Sequence, residues 1–359
     1  MTYLMIYYFL LSTILCAITI PFIKRVAFKY GAINNPGNHP KKIHTKPTPL
    51  LGGLAVYISL ASSVLIYIYF GQIDFSIVPL KFLLAILFGG LVLILGGAAD
   101  DKFDLPPKIL WLFPAVASLI VVFSGIGVGI TFLSNPFGHE INLRYVILGL
   151  PLSGIVMWFW MMGMIFTTKF LDGMDGLCSG IGFIASCTML ALSLTSKINQ
   201  PVTATLAIIF AGALLGYLFY GFNPASIFLG EGGSTLVGFM IGVLAIILGG
   251  KIATALIVMG IPILDIAWAI TRRLWYGRSP FMADRLHLHH RLLDIGFSQR
   301  QTVLILYLIS AIFGTSAVFL QSFGKLVALL IMFGLMVIMA IAVVMIFKKQ
   351  HPHVPRLEN

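Results

Sequence analysis

The sequence predicts an all-α, polytopic integral membrane protein of about eleven transmembrane helices, and three observations carry that prediction. Hydrophobic residues make up 59% of the chain and charged residues only 10%, against about 25% charged in an average soluble domain. The apolar residues fall in blocks of roughly twenty, the length that crosses a hydrocarbon core as helix. Short segments between the blocks hold nearly all of the charge. Residues 1–347 therefore read as a single transmembrane domain, followed by a short tail at 348–359.

Eleven segments have the required length, at approximately 3–23, 50–70, 80–99, 109–130, 145–166, 177–195, 202–221, 235–250, 252–270, 302–320 and 326–347. The first is too long for the apolar region of a signal peptide and has no small-residue cleavage site, so it is read as a span. Between the eighth and ninth there is little more than Gly249-Gly250-Lys251, which predicts a tight helical hairpin. Cys16, Cys178 and Cys187 lie inside apolar blocks without ligand spacing. They give neither a disulfide framework nor a zinc site and read as small core residues.

Lys and Arg accumulate on the cytoplasmic side of membrane proteins. With the N-terminus outside and the C-terminus cytoplasmic, all but five of the 23 Lys and Arg fall in inner segments, the five being Lys81, Arg144, Lys197, Lys251 and Lys325. The acidic residues follow the same side, with only Asp74 and Glu140 outside. Chemistry is expected at the cytoplasmic face. The net charge of +11 is confined to segments at headgroup depth, which favours an anionic lipid surface over nucleic acid.

Five inner segments concentrate polar groups. The third span ends in Gly96-Gly97-Ala98-Ala99-Asp100-Asp101-Lys102-Phe103-Asp104. Adjacent carboxylates repel, so one keeps its proton or a cation sits between them. That suits a general base or a metal site, the plain alternative being a solvated helix end. The next inner segment holds Lys169, Asp172, Gly173, Asp175 and Gly176. A spacing of three puts Asp172 and Asp175 on one helical face, and the glycines admit close backbone approach to a phosphate or nucleotide. In Phe228-Leu229-Gly230-Glu231-Gly232-Gly233-Ser234, Glu231 is a candidate ligand for a hard cation and Ser234 a candidate helix cap. The loop around Arg285, His287, His289, His290 and Arg291 gathers donors for phosphate oxygens; a transition-metal site or an interfacial helix are its alternatives. His44 and Lys46, beside Pro47-Thr48-Pro49-Leu50-Leu51-Gly52-Gly53, either bind a lipid phosphate or enforce topology. Asp265, inside the ninth span, is costly if it faces lipid and is expected to face a polar cavity or to pair with Arg272 or Arg273.

These segments, in this order on one face, resemble the polyprenyl-phosphate N-acetylhexosamine-1-phosphate transferase superfamily (glycosyltransferase family 4), and most closely its WecA/TagO-like branch. The resemblance covers nearly the whole chain. It implies transfer of a sugar 1-phosphate from a UDP-N-acetylhexosamine to undecaprenyl phosphate at the inner membrane, with release of UMP, to start a cell-envelope polysaccharide. It implies Mg²⁺ (or Mn²⁺) as cofactor and a nucleotide sugar, a polyprenyl phosphate and the bilayer as partners; the sequence leaves monomer and homodimer open. By the same resemblance Asp100 and Asp101 take the catalytic acidic pair, with Asp175 and Asp172 near the nucleotide. Glu231, with Asp172, takes the metal, and His287, His289 and His290 the phosphate-recognising loop. Two positions depart from the family pattern: Glu231 stands where Asp is usual, and Lys169 where Asn is usual. Lys169, one turn before Asp172, is expected to pair with that carboxylate or to point at the diphosphate, unless it snorkels to the headgroups. Two rival classes stay open. One is a secondary transporter with carboxylates at broken helices, the other an inactive lipid-binding homologue.

Overall fold

The computed structural model describes residues 2–35, 47–71, 73, 75, 78–128, 130, 132–134, 140–147, 150–249, 251–275, 277 and 287–350. Its helices in chain order are α1 (Thr2–Tyr30), α2 (Gly52–Phe70), α3 (Leu80–Phe103), α4 (Pro107–Leu110), α5 (Leu112–Ser124), α6 (Leu152–Leu171), α7 (Leu177–Ser193), α8 (Pro201–Gly221), α9 (Gly230–Ile247), α10 (Ile252–Val258), α11 (Gly260–Trp275), α12 (Leu288–Asp294), α13 (Gln299–Phe319) and α14 (Ser322–Gln350). The strands are three short antiparallel pairs in loops. β1 (Ile33–Asn34) pairs with β2 (Thr48–Pro49), β3 (Phe132–Ser134) with β4 (Glu140–Asn142), and β5 (Val146–Ile147) with β6 (Leu150–Pro151).

Among the described residues nine helical stretches are long and apolar enough to cross a membrane, α4 and α5 counting as one. The other two predicted segments differ from the expectation. The ninth is not one straight span: α10 and α11 meet at Met259 with a bend of 81°. The sixth is the 17-residue α7, an apolar helix shorter than the rest. The fifth is displaced to Leu152–Leu171, because Val146 and Ile147 pair with Leu150 and Pro151 as β5–β6, and Pro151, which has no N–H to give, stands at the helix boundary. That shift puts Lys169 in the last turn of α6. The predicted hairpin after the eighth span is present as a short turn, with Gly249 left-handed (φ 79°) and the Lys251 N–H donating to the Ala245 carbonyl at 2.8 Å.

Helix α9 is the centre of the bundle. In its most apolar stretch 89% of the residues are buried, compared with 22% for α14 and 33% for α1. Between helices in lipid the attraction is packing rather than exclusion of water, so small residues that let backbones approach are favoured. Here they are glycines. A Cβ on Gly97 of α3 would collide with the backbone of Gly232, one on Gly53 of α2 with that of Gly233, and one on Gly238 with the Met164 carbonyl and Thr168 hydroxyl of α6. Large apolar residues on α1, α13 and α14, among them Ile18, Phe22, Leu308, Phe319 and Ile338, remain exposed and form the surface that faces lipid chains.

Candidate active site

Antiparallel packing puts the C-terminal ends of α3, α6 and α8 beside the N-terminal ends of α2, α9 and α13. At that end lies a cavity of about 690 Å³ lined by Asp100, Asp101, Lys169, Asp172, Asp175 and Glu231, together with Asn223, Tyr217 and Gln299. Six of the predicted site residues are thus brought together from three separate segments. His44, Lys46 and Arg285 lie outside the described residues.

The glycine motifs build the walls. The Phe228 N–H donates to the Pro49 carbonyl at 2.9 Å, and the N–H groups of Gly52 and Gly53 donate to the carbonyls of Phe228 and Leu229 at 2.9 and 2.7 Å. The Pro-Thr-Pro-Leu-Leu-Gly-Gly segment is therefore a clamp on the loop that precedes Glu231. Gly230 has φ 76°, and a side chain there would run into the Asp101 carboxylate. Only glycine meets both demands. Asp101 Oδ1 accepts the Glu231 N–H at 3.2 Å, so an acidic group from α3 sits at the positive N-terminal end of α9. Asp100 Oδ1 accepts the Leu105 N–H at 2.9 Å, tying it to the end of its own helix.

Three local expectations are corrected. Asp172 and Asp175 do not share a helical face: α6 stops at Leu171 and residues 172–176 form a turn, closed by Gly176 with φ 79° at the start of α7. Ser234 does not cap a helix, because α9 begins at Gly230; its hydroxyl donates instead to the Glu231 carbonyl at 3.1 Å. Lys169 pairs with Glu231 and not with Asp172: Nζ lies 2.5 Å from Oε1 across the α6–α9 crossing. A short-range helical rule pointed to i+3, and the tertiary crossing offered a nearer carboxylate.

Burial, and then the charges of Glu231, Asp101 and Asp175, push the Asp172 carboxyl up to about 8. Among the described residues the cavity has five carboxylates and one ammonium and is short of positive charge. The donors are all oxygen, which suits a hard cation such as Mg²⁺. Among the described residues no three Asp, Glu, His or Cys side chains converge closely enough to form a closed metal cage. Mg²⁺ commonly uses one or two carboxylates and completes its shell with water and substrate phosphate, so the donor set of Asp172 and Glu231 fits it.

The histidine motif takes a different place from the one expected. His287, His289 and His290 do not line the cavity. His287 Nδ1 is 2.8 Å from Asp265 Oδ2, and the Leu288 N–H donates to Asp265 Oδ1 at 2.9 Å. This corrects the expected Asp265 pairing with Arg272 or Arg273, for the bend at Met259 carries α11 to the histidine segment. His289 stacks on His287 and is buried. Burial, and then His290, lower its imidazole to about 3, with Asp265 opposing. It is neutral at physiological pH. A Cβ on Gly173 would meet its Nε2 at 2.5 Å, so His289 supports the Asp172–Asp175 turn from behind.

Sequence reasoning missed the residues that hold Asp175. Asn223 Nδ2 and the Ala225 N–H both donate to Asp175 Oδ2 at 3.0 Å. Asn223 Nδ2 also lies 2.6 Å from Gln299 Oε1, and Arg300 Nε donates to the Asn223 carbonyl at 2.9 Å. From α13 the Tyr307 hydroxyl donates to the Gly176 carbonyl. Asn223, directly after the seventh span in an inner segment, was the one detectable signal. Gln299 and Arg300 look in sequence like any solvated helix start.

The family model described as glycosyl transferase family 4 matches residues 83–249. A probable undecaprenyl-phosphate N-acetylglucosaminyl 1-phosphate transferase of Bacillus subtilis (strain 168) is 32% identical over 340 residues, covering 93% of this chain and 89% of its own. A decaprenyl-phosphate N-acetylglucosaminephosphotransferase of Mycolicibacterium smegmatis is 29% identical, covering 90% of this chain and 84% of its own. An undecaprenyl-phosphate alpha-N-acetylglucosaminyl 1-phosphate transferase of Escherichia coli (strain K12) is 30% identical, with 83% and 78% covered.

Proposed function

The chain belongs to glycosyl transferase family 4, and on that premise we propose that it is a multi-pass membrane transferase that moves N-acetylhexosamine 1-phosphate from a UDP-sugar to a polyprenyl phosphate. The observation that carries this reading is the cavity itself: the acidic and glycine motifs of separate segments meet at one end of the bundle, where a lipid headgroup and a water-soluble nucleotide can both arrive. The sugar is N-acetylglucosamine in the names of the relatives, and undecaprenyl phosphate is the acceptor we assign.

In the reaction an oxygen of the lipid phosphate attacks the sugar-bearing β-phosphorus of the donor. The bond from that phosphorus to the oxygen bridging it to the α-phosphate breaks, and UMP leaves. Two anions must approach, so catalysis is chiefly positioning and charge neutralisation. Asp101, with Asp100 beside it, orients the lipid phosphate and takes its proton if it arrives protonated. Asp175, fixed by Asn223 and Ala225, positions the nucleotide side. Asp172 and Glu231 would hold Mg²⁺, which when bound supplies charge neutralisation on the diphosphate. The loop of Arg285 with His44 and Lys46 is assigned to the lipid phosphate.

The assay is formation of labelled polyprenyl-diphospho-sugar and UMP by purified protein given labelled UDP-N-acetylglucosamine and undecaprenyl phosphate. Neither product would overturn the reading, and movement of label across sealed vesicles would favour transport. We assign the cavity to the cytoplasmic face of the inner membrane on the distribution of Lys and Arg. Cysteines at Lys102 and Lys108 should then label only from inside, and one at Lys197 only from outside.

A further inference from the structure

One ion pair spans two different helices at the cavity wall. Lys169 and Glu231 come from α6 and α9, meet at 2.5 Å and keep 22% and 18% of their side chains exposed on the cavity wall. The pair is not what joins these helices, because the crossing is already made by Gly238 against the Met164 carbonyl and Gly242 against the Met161 sulfur. Asp100, Asp101, Asp172 and Asp175 line the same cavity, yet the ammonium sits on the carboxylate assigned to the metal. A divalent ion and Lys169 therefore compete for Glu231. An ammonium displaced from Glu231 needs another anion, and the donor's diphosphate brings one.

Resting on the function proposed above, we propose that Lys169 is a resident counter-cation that couples metal binding to donor binding: it holds Glu231 in the empty enzyme and passes to the donor's diphosphate when a divalent ion takes Glu231. No covalent bond changes in this exchange. One ammonium–carboxylate contact is replaced by a metal–carboxylate and an ammonium–phosphate contact. Lys169 is thus a positioning residue for the diphosphate as well as a brake on metal binding without substrate. The Lys side chain suits the task because its charge is a compact point on a flexible stem.

Two equilibria measured separately on the full-length protein in nanodiscs test this, with Mn²⁺ followed by loss of its free electron paramagnetic resonance signal and UDP by calorimetry, at saturating Mg²⁺ and in EDTA. Lys169→Met should bind Mn²⁺ without nucleotide at least ~10-fold more tightly than wild type, and UDP at saturating Mg²⁺ at least ~10-fold more weakly, the scale of one charge-assisted contact. Lys169→Arg, which keeps the charge but not the compact ammonium, should move both affinities back toward wild type. If Lys169→Met does not yield folded protein, Glu231→Gln reads the same exchange from the other side. It frees the ammonium without removing it, so UDP should bind in EDTA at least as tightly as to wild type. Unchanged Mn²⁺ or UDP affinity in Lys169→Met, or weaker UDP binding in Glu231→Gln, overturns the coupling. Wild type that binds UDP and turns over while the variants match it removes the coupling alone; wild type that does neither removes the proposed function with it.

Discussion

Two polar regions lie side by side at one end of this bundle and satisfy their groups in opposite ways. In the cavity, Asp100, Asp101, Asp172, Asp175 and Glu231 line one space with a single ammonium among the described residues. Behind the Asp172–Asp175 turn, the Asp265 carboxylate accepts a backbone N–H on one oxygen and meets His287 on the other. Charges buried in a membrane protein need partners or a cavity. Among the described residues the first region is left short of positive charge, which a substrate and its metal can use, whereas both Asp265 oxygens in the second already have partners and the group acts as a support. Ionisable residues within or beside spans therefore separate by what their oxygens already accept.

The largest effect that could break this contrast is loss of cavity carboxylates. Asp101→Asn, Asp175→Asn and Glu231→Gln are each expected to lower turnover at least ~100-fold, the size of losing a general base or a charge-stabilising contact, with membrane insertion intact. Near-normal turnover in the labelled-lipid assay for all three would remove the cavity's role. Asp265→Asn should instead act on stability. It loses the charge behind two hydrogen bonds, so about 1.5–3 kcal/mol is expected from folding, seen as a lower unfolding temperature, while turnover of the folded fraction falls by less than ~10-fold. A turnover loss as large as the cavity variants show would make the two regions alike.

A smaller effect concerns acid. His289 is held at about 3, below its ordinary 6.5, so the fold prefers the neutral ring. That contribution is complete above about pH 6.5 and declines as pH falls toward 3, because the unfolded chain takes up a proton that the folded one refuses. His289→Gln should flatten the fall in stability between those limits by about one proton, and identical slopes for variant and wild type would count against the buried neutral ring. The smallest effect is predicted for Asp104→Asn. Asp104 is exposed with φ 51° at the end of α3, a conformation Asn also adopts, and it does not line the cavity. Its turnover should stay within about 2-fold of wild type, and a larger loss would extend the site beyond the residues assigned here.

Much of this molecule was legible as sequence because lipid imposes a one-dimensional rule. A helix must satisfy its own backbone over a fixed length, so block length located the apolar helices, and the Lys and Arg distribution grouped the chemical segments on one face. The acidic motifs were legible because carboxylates are scarce in such a chain and stand out. Hydropathy could not identify the middle of the bundle. The exposed α14 is the most hydropathic of the nine spans and the central α9 among the least, since lipid is as apolar as any protein interior and glycine contacts, not greasiness, decide which helix others pack on. Nor could spacing along the chain show that Lys169 reaches Glu231, that His287 reaches Asp265, or that Asn223 holds Asp175. Those partners are 62, 22 and 48 residues apart in sequence. Only the crossing of α6 with α9, the bend at Met259 and the end of α8 bring them within reach.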